Sequence, residues 1–247
     1  MRFSRIRAVG GRVLHQIARD RRFVVLVVVA PLLLVFFVKT LFEATMVPAP
    51  AQNQFVVPFG AYIVHFATFI LTAIVLVRER VAETLERMFV NGYRQVEIVA
   101  GYLIGYTVLA TAVSVMVLAA LELLFDLGYD LGRLVEAFVI LWLLAVISMA
   151  LGILVSNLAR TEGQVIPFIP LVIIPSFLFS GIIVAVDVLP RWAQAISRLS
   201  PMYYANQVLQ QVIEGNSATS DFGAALALPI FGLVVLGLAT LTLREQS

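Results

Sequence analysis

Apolar positions in this chain come in long blocks rather than in alternation. Six blocks, residues 23–42, 57–77, 98–125, 134–158, 166–186 and 223–243, match the roughly 20 apolar residues a helix needs to cross a bilayer. The pattern predicts an all-α polytopic membrane protein with six transmembrane helices. The third and fourth blocks exceed the bilayer thickness, so tilt or protrusion is expected of them. Pro31, Pro167, Pro170, Pro175 and Pro229 fall inside the blocks. Neighbouring helices can satisfy the backbone groups such prolines free, and the fifth block is predicted to kink or break near Pro170 or Pro175.

Shorter periodicities lie outside the blocks. Phe3, Ile6, Val9 or Gly10, Val13, Leu14 and Ile17 recur at helical spacing, with arginines at most other positions. Residues 1–22 therefore read as a basic amphipathic helix on the inner membrane surface. Two roles stand for it: an interfacial anchor that also touches a cytoplasmic partner, or a topology signal alone. A cleaved signal peptide does not fit, because the basic region runs on to Arg22 and the apolar block after it is too long. Residues 187–222 form a long connection before the last block. There Leu189, Trp192, Ile196 and Leu199 fit a short helix after Pro190. Tyr203, Tyr204, Val208, Leu209, Val212 and Ile213 fit a second helix after Pro201. Trp and Tyr favour the membrane–water boundary, so two short outer helices at or dipping into that interface are expected.

Charge placement orients the blocks. Six spans put both termini on one side, which collects Arg2, Arg5, Arg7, Arg12, Arg19, Arg21 and Arg22, then Arg78, Arg80, Arg87 and Arg94, then Arg160 and Arg244. The other side has Arg133, Arg191 and Arg198, with Lys39 able to snorkel. The first side is predicted to be cytoplasmic in a multi-pass plasma-membrane protein. With 61% hydrophobic and 13% charged residues and a mean hydropathy of +1.00, lipid is the natural solvent.

Candidate chemistry is sparse. No cysteine is present, which excludes disulfides, thiolate metal sites and a Cys nucleophile. No P-loop, H-E-x-x-H or G-x-S-x-G motif occurs, so neither ATP binding by a P-loop of this sequence nor a catalytic or metal site is expected. Nothing points to nucleic acid, and membrane lipids are the surrounding partner. His65 falls in the second block, where it is either part of a transport pathway or a hydrogen-bonding partner across helices. Glu122 lies in the outer part of the third block. With Asp126, Asp130, Glu136, Asp187, Glu214 and Asp221 it makes the outer side acidic, which reads as a vestibule for cationic cargo or as a solvated rim. Phe66, Phe69, Phe168, Phe177 and Phe179 line a path for an amphipathic cargo or pack helices and lipid.

One polar loop, residues 78–97, is unusually charged. It holds Arg78, Glu79, Arg80, Glu83, Glu86, Arg87, Arg94 and Glu97 between two apolar blocks. On a helix from about residue 80 to 90, Leu85, Met88 and Phe89 make an apolar ridge with Glu83, Glu86 and Arg87 around it, a surface suited to a groove on another protein. A solvated loop with Glu83–Arg87 pairing is the plainer reading. Asn157, Arg160 and Thr161, in the second polar loop on that side, make a smaller candidate contact.

The loop RERVAETLERMFVNGYRQVEIVAGYL, together with the outer segment FLFSGIIVAVDVLPRWAQAISRLSPMYYANQVLQ, resembles the ABC-2 type permeases, the membrane subunits of ABC exporters, in their short single-domain branch. Glu79, Thr84, Leu85, Glu86 and Arg87 match the family's E-R-E-x-G-T-L-E-x-L loop, with Glu83 in place of its glycine and Tyr102 near its usual lysine. Ser180, Gly181, Leu189, Pro190, Trp192, Pro201 and Tyr204 match its outer motif, with Ala185 where proline is common and Gln210 or Gln211 near a usual arginine. The resemblance spans essentially the whole chain. It implies a first cytoplasmic loop that acts as a coupling helix (Glu83, Thr84, Leu85, Glu86, Arg87, Met88, Phe89) seated on a separate cytoplasmic ATPase. Two ATPase copies would supply ATP and Mg, beside a second permease copy in a homodimer. It also implies re-entrant outer helices that gate the exit through Pro190, Trp192, Pro201 and Tyr204. The expected function is export of a hydrophobic or amphipathic substrate (drug, lipid or glycolipid), the chain itself not being an enzyme. A secondary transporter or channel driven by an ion gradient is the alternative, and the residues give no nucleophile–base set for an intramembrane enzyme.

Overall fold

The computed structural model of the 247-residue chain describes residues 3–45, 49–82, 84–159 and 161–242. Within them the protein is helical and carries no strand. In chain order the helices are α1 Phe3–Arg19, α2 Arg21–Thr45, α3 Ala49–Val81, α4 Thr84–Val90, α5 Gln95–Phe125 and α6 Leu131–Leu158, followed by α7 Glu162–Val165, α8 Phe168–Leu178, α9 Arg191–Ser197, α10 Pro201–Ile213 and α11 Phe222–Thr242. Five of them, within α2, α3, α5, α6 and α11, are long and apolar enough to cross a membrane.

The fifth apolar block is shorter than a full span. Its helical part covers Gly163–Leu178, and the interruption falls at Ile166 and Pro167, one turn before the predicted position. A proline lacks the N–H that would bond back into the preceding turn. The chain restarts with Pro170 in the first turn of α8, where a missing donor costs nothing. Pro175 stays within α8. The helix then ends in a turn through Gly181, whose φ of +87° suits glycine.

α3 and α6 form the most extensive helix pair, and α11, α10 and α5 pack around them. Lipid gives helices little hydrophobic reason to associate, so close packing and hydrogen bonds hold them. At the α3–α6 crossing, Gly152 presents its backbone to α3: a Cβ there would sit 2.7 Å from the Phe69 carbonyl oxygen and 3.1 Å from the Ala73 nitrogen. His65 of α3 reaches Ser148 of α6 at 2.6 Å through Nδ1, and the Ser148 hydroxyl donates to the Leu144 carbonyl. The other ring nitrogen, Nε2, has no hydrogen-bond partner among the described residues. His65 is fully buried and makes a cross-helix hydrogen bond between α3 and α6. On the far side of the pair, Trp142 donates to Thr111 of α5 at 3.0 Å.

The two short helices before the last span are present where the sequence puts them. Ser200 caps α10 by accepting from the Met202 N–H at 3.2 Å, and Pro201 occupies the first helical position. α10 buries Met202, Ala205, Leu209 and Val212 against α3, α6 and α11.

Gly152→Ala is expected to lower the thermal unfolding midpoint of the purified protein, because backbone atoms cannot yield to the new methyl; overpacking of this kind costs about 1–3 kcal/mol. Gly237→Ala, on α11 with nothing within 4 Å of the added carbon, is the matched control and leaves the midpoint unchanged. Equal midpoints for the two variants would disprove the close α3–α6 approach.

Candidate functional site

The charged loop is closed at both ends by α1. Glu79, near the end of α3, is 4% exposed and pairs with Arg12 at 3.6 Å. Glu97, in the first turn of α5, is 2% exposed and pairs with Arg5 at 3.5 Å. Glu97 also accepts the Arg94 backbone N–H at 3.1 Å, one half of a capping box that starts α5. Arg5 additionally donates to the Gly92 carbonyl and lies 5.0 Å from the Tyr93 ring centroid. Arg5 and Arg12 are seven residues apart, two helical turns, so they emerge from one face of α1. The loop's charge therefore has a specific destination: two of its carboxylates are the partners of two arginines on the N-terminal helix.

α1 can reach them because α5 offers it a groove. Gly101 and Gly105 are four residues apart on one face of α5, and Val9 and Val13 of α1 lie directly over them. A Cβ on Gly101 would fall 2.5 Å from that of Val9, and one on Gly105 would fall 2.8 Å from that of Val13. Gly10 in turn sits close to the Gly101 carbonyl. The small-xxx-small pattern lets two backbones approach closely. The amphipathic helix exists as expected, and Ile6, Val9, Gly10 and Val13 of its apolar face are buried against α5. The GYLIG run at residues 101–105 is the sequence signal of this close approach.

The helix within the loop is short, α4 at Thr84–Val90. Glu83 lies outside the described residues, as do the side chains of Leu85 and Glu86. The predicted outward ridge needs correcting at Met88. That side chain is 9% exposed and belongs to the core, with Phe89 half-buried beside it. Packing of α4 against α3 gives these apolar groups an internal partner that a free loop would lack. The surface left outward is Arg87, Val90 at 83% exposure, and Asn91, with Thr84 half-buried. The Asn91 amide caps the helix by donating to the Arg87 carbonyl at 2.7 Å. An open groove of about 500 Å³ between α1 and α4 is lined by Ala8, Arg12, Thr84, Arg87, Met88 and Tyr93.

In the second loop of that end, Asn157 is used internally. Its side-chain amide donates to the Ala239 carbonyl at 2.9 Å and to the Thr242 hydroxyl at 3.0 Å, tying α6 to the end of α11. Thr161 is exposed at the start of α7, and Arg160 lies outside the described residues.

At the opposite end, Pro190 starts α9, and Trp192 is exposed, edge-on to Phe179 at 5.9 Å between centroids. Pro201 is buried, and the Tyr204 hydroxyl donates to the Arg198 carbonyl at 3.0 Å, bracing α9 against α10. A polar cavity of about 450 Å³ opens between the turn at Gly181 and the face of α10 bearing Tyr203, Asn206, Gln207 and Gln210. Asn206 holds its floor by donating to the Ser180 carbonyl at 3.1 Å. Glu122 is not among these residues. It lies beside Tyr129 in the loop after α5. Burial pushes the Tyr129 phenol above its ordinary range; nearby Arg133 opposes that rise and the charge of Glu122 adds to it. His65 and Glu122 lie at different levels of the bundle and form no shared site. Among the described residues no group of three acidic or imidazole side chains is placed to hold a metal.

A multi-pass helical membrane protein with a short polar helix clamped at one end and a polar cavity at the other has the layout of a transport permease. The chain matches the ABC-2 type transporter family over residues 4–213 and belongs to it. It is 26% identical over 165 residues to ABC transporter G family member 20 of Dictyostelium discoideum, covering 65% of this chain and 22% of that protein. It is 26% identical over 204 residues to YbhS of Escherichia coli strain K12, named a probable multidrug ABC transporter permease, covering 81% of this chain and 53% of that one. With the linearmycin resistance permease protein LnrN of Bacillus subtilis strain 168 it shares 25% identity over 135 residues, covering 55% and 34%. The chain thus spans about half, or less, of the length of these relatives.

Arg12→Gln is expected to lower stability by about 1–3 kcal/mol, the penalty of a buried group that loses its partner. Adding Glu79→Gln removes the stranded charge and is expected to restore part of the loss, read as thermal midpoints of the four variants in a double-mutant cycle. Purely additive losses would mean that the two side chains do not interact.

Proposed function

We propose that this chain is the membrane subunit of an ATP-driven exporter. Its arginine-rich end faces the cytoplasm, in line with the positive-inside rule, and α4 docks on a separate ABC ATPase that brings the ATP and Mg. Two ATPase copies would serve two permease copies, a homodimer being the simplest assembly. The observation that carries the reading is the family match over residues 4–213, joined to a short helix, α4, held out at the arginine-rich end by two ion pairs. A docking element has to be rigid to transmit force, and the Arg5 and Arg12 clamps supply that rigidity.

Burial of Met88 moves the proposed contact face to Arg87, Val90, Asn91 and Thr84. The cargo we favour is hydrophobic or amphipathic, of the drug, lipid or glycolipid type. Relatives named for multidrug transport and linearmycin resistance and the mostly apolar spans support it. Transport would run outward past the cavity edged by α9 and α10, read as the re-entrant outer helices, with Pro190, Trp192, Pro201 and Tyr204 as its gate.

Arg87→Glu is expected to leave the permease folded, since Arg87 is exposed, and to abolish the transport-coupled share of ATP hydrolysis when permease and ATPase are reconstituted together. Val90→Asp is expected to do the same by placing a charge in an apolar contact. If both variants export cargo at the normal rate, α4 does not couple the two subunits.

A further inference from the structure

The cavity beside α10 has a composition that the rest of the chain lacks. The chain holds fifteen Asn and Gln residues, and five of them, Gln194, Asn206, Gln207, Gln210 and Gln211, line this one space of about 450 Å³. Four of the five, with Tyr203, lie on one face of α10 at helical spacing. No residue of α10 is charged. A helix face that only meets bulk water ordinarily carries Lys, Glu or Arg, so a stripe of amides and a phenol points to something more selective than water.

The amides are held in place. Gln194 donates to the Leu189 and Asp187 carbonyls at 2.9 and 3.2 Å, Gln207 to the Tyr203 hydroxyl at 2.9 Å, and Gln210 to the Gln54 carbonyl at 3.1 Å. Asn206, 4% exposed, is fixed by its bond to the Ser180 carbonyl. With those nitrogens engaged, the side-chain oxygens of Gln194, Gln207 and Gln210 remain to accept. Asp187 and Asp221 add carboxylates to the lining, Asp221 spending one oxygen on the Ala224 N–H. Arg198 is the one cationic side chain among the lining residues.

Charge and hydrogen-bonding capacity together select an occupant. Two carboxylates oppose an anion, and the guanidinium among them opposes a cation. Ala185 and Val186 are the only aliphatic side chains of the lining, too few to hold a hydrocarbon body. Several spare acceptors call for several O–H donors. A hydroxyl-rich neutral group meets all three conditions, each hydroxyl giving its proton to an amide or carboxylate oxygen and accepting in turn from Arg198 or a free amide N–H. We propose that the cavity beside α10 is a binding site for a neutral polyhydroxylated group, a sugar in size and chemistry; its volume lies in the ordinary range of small-ligand clefts. A free sugar and the head group of a glycolipid present the same chemistry to it. A part for the site in transport rests on the exporter reading, and within that reading it points to cargo with a sugar head group. The binding itself does not rest on it and is measured without any ATPase.

The test separates the sugar from what carries it. Purified full-length protein is placed in phosphatidylcholine nanodiscs doped with diglucosyl diacylglycerol, and the lipids it keeps are counted by native mass spectrometry. Diacylglycerol with the same chains is the control. Saturable retention of the glycolipid, absent for the control, is expected. Maltose in solution distinguishes the sources. If it displaces the glycolipid, the ring alone suffices; if retention is unaffected, the ring is read on a lipid; a saturable rise in thermal midpoint with maltose but no glycolipid retention assigns the site to a free sugar. In each case Gln207→Leu is expected to weaken binding roughly tenfold, the scale of one or two hydrogen bonds. Asp187→Ala, at an exposed position, is expected to do the same and stands in if Gln207→Leu is unstable. No response to either sugar, or undiminished binding by both variants, would overturn the site. Retention of a dialkyldimethylammonium lipid in place of the glycolipid would make the cavity a cation site and overturn it equally. Failure here leaves the dependence of ATP hydrolysis on Arg87 untouched, and normal export by Arg87→Glu leaves the binding result standing.

Discussion

Glu79 and Glu97 are nearly withdrawn from water at the two ends of one loop, and a buried carboxylate is tolerable only with a partner. Both partners come from a single helix, α1, through Arg12 and Arg5. That one constraint fixes much else. The arginines reach the acids only if α1 lies along α5, and α1 lies along α5 only because Gly101 and Gly105 leave its valines room. The same packing borders a cavity of about 80 Å³ lined by Gln16, Arg78, Glu79 and Tyr106. Each ion pair is partly exposed on its arginine side, so solvent screens some of the attraction. The strength of the arrangement lies in having both pairs and the glycine groove on one rigid element.

Inside the bundle, polar groups are handled locally. Thr68 and Thr72 donate back to carbonyls of their own helix at 2.7 and 2.8 Å, His65 crosses to Ser148, and Trp142 crosses to Thr111. These are neutral groups with modest demands. The charged groups have been moved to the ends, where arginine clamps or helix caps meet them. Glu122 departs from that division, one of its carboxylate oxygens being buried with no hydrogen-bond partner among the described residues.

Much of the helix plan was legible in the sequence, because twenty-residue apolar blocks leave little alternative and because Pro190, Ser200 and Pro201 punctuate the outer segment in a known way. The break in the fifth block was legible in kind but not in place, and its shortening was not: three prolines compete, and the one at 167 prevails because a helix can restart with Pro170 in its first turn and retain Pro175 near its end. The candidate site was read less well. Leu85, Met88 and Phe89 look like a docking ridge when the loop is considered alone. Met88 turns inward because α4 folds back against α3, a tertiary contact that periodicity does not report. The destination of Asn157 against Ala239 and Thr242 is hidden for the same reason. The GYLIG run, by contrast, was visible and would have placed α1.

α5 ties the two ends of the bundle together. Glu97 in its first turn is held by α1 beside α4, and Glu122, twenty-five residues on, lies near its other end; at 1.5 Å per residue the two are about 38 Å apart. α5 contains no proline and runs unbroken between them. The α3–α6 pair is pinned by Gly152 and His65, and the α5–α6 seam is joined by the Trp142–Thr111 hydrogen bond, so the helix that α1 holds at one end is tied to the same core along its length.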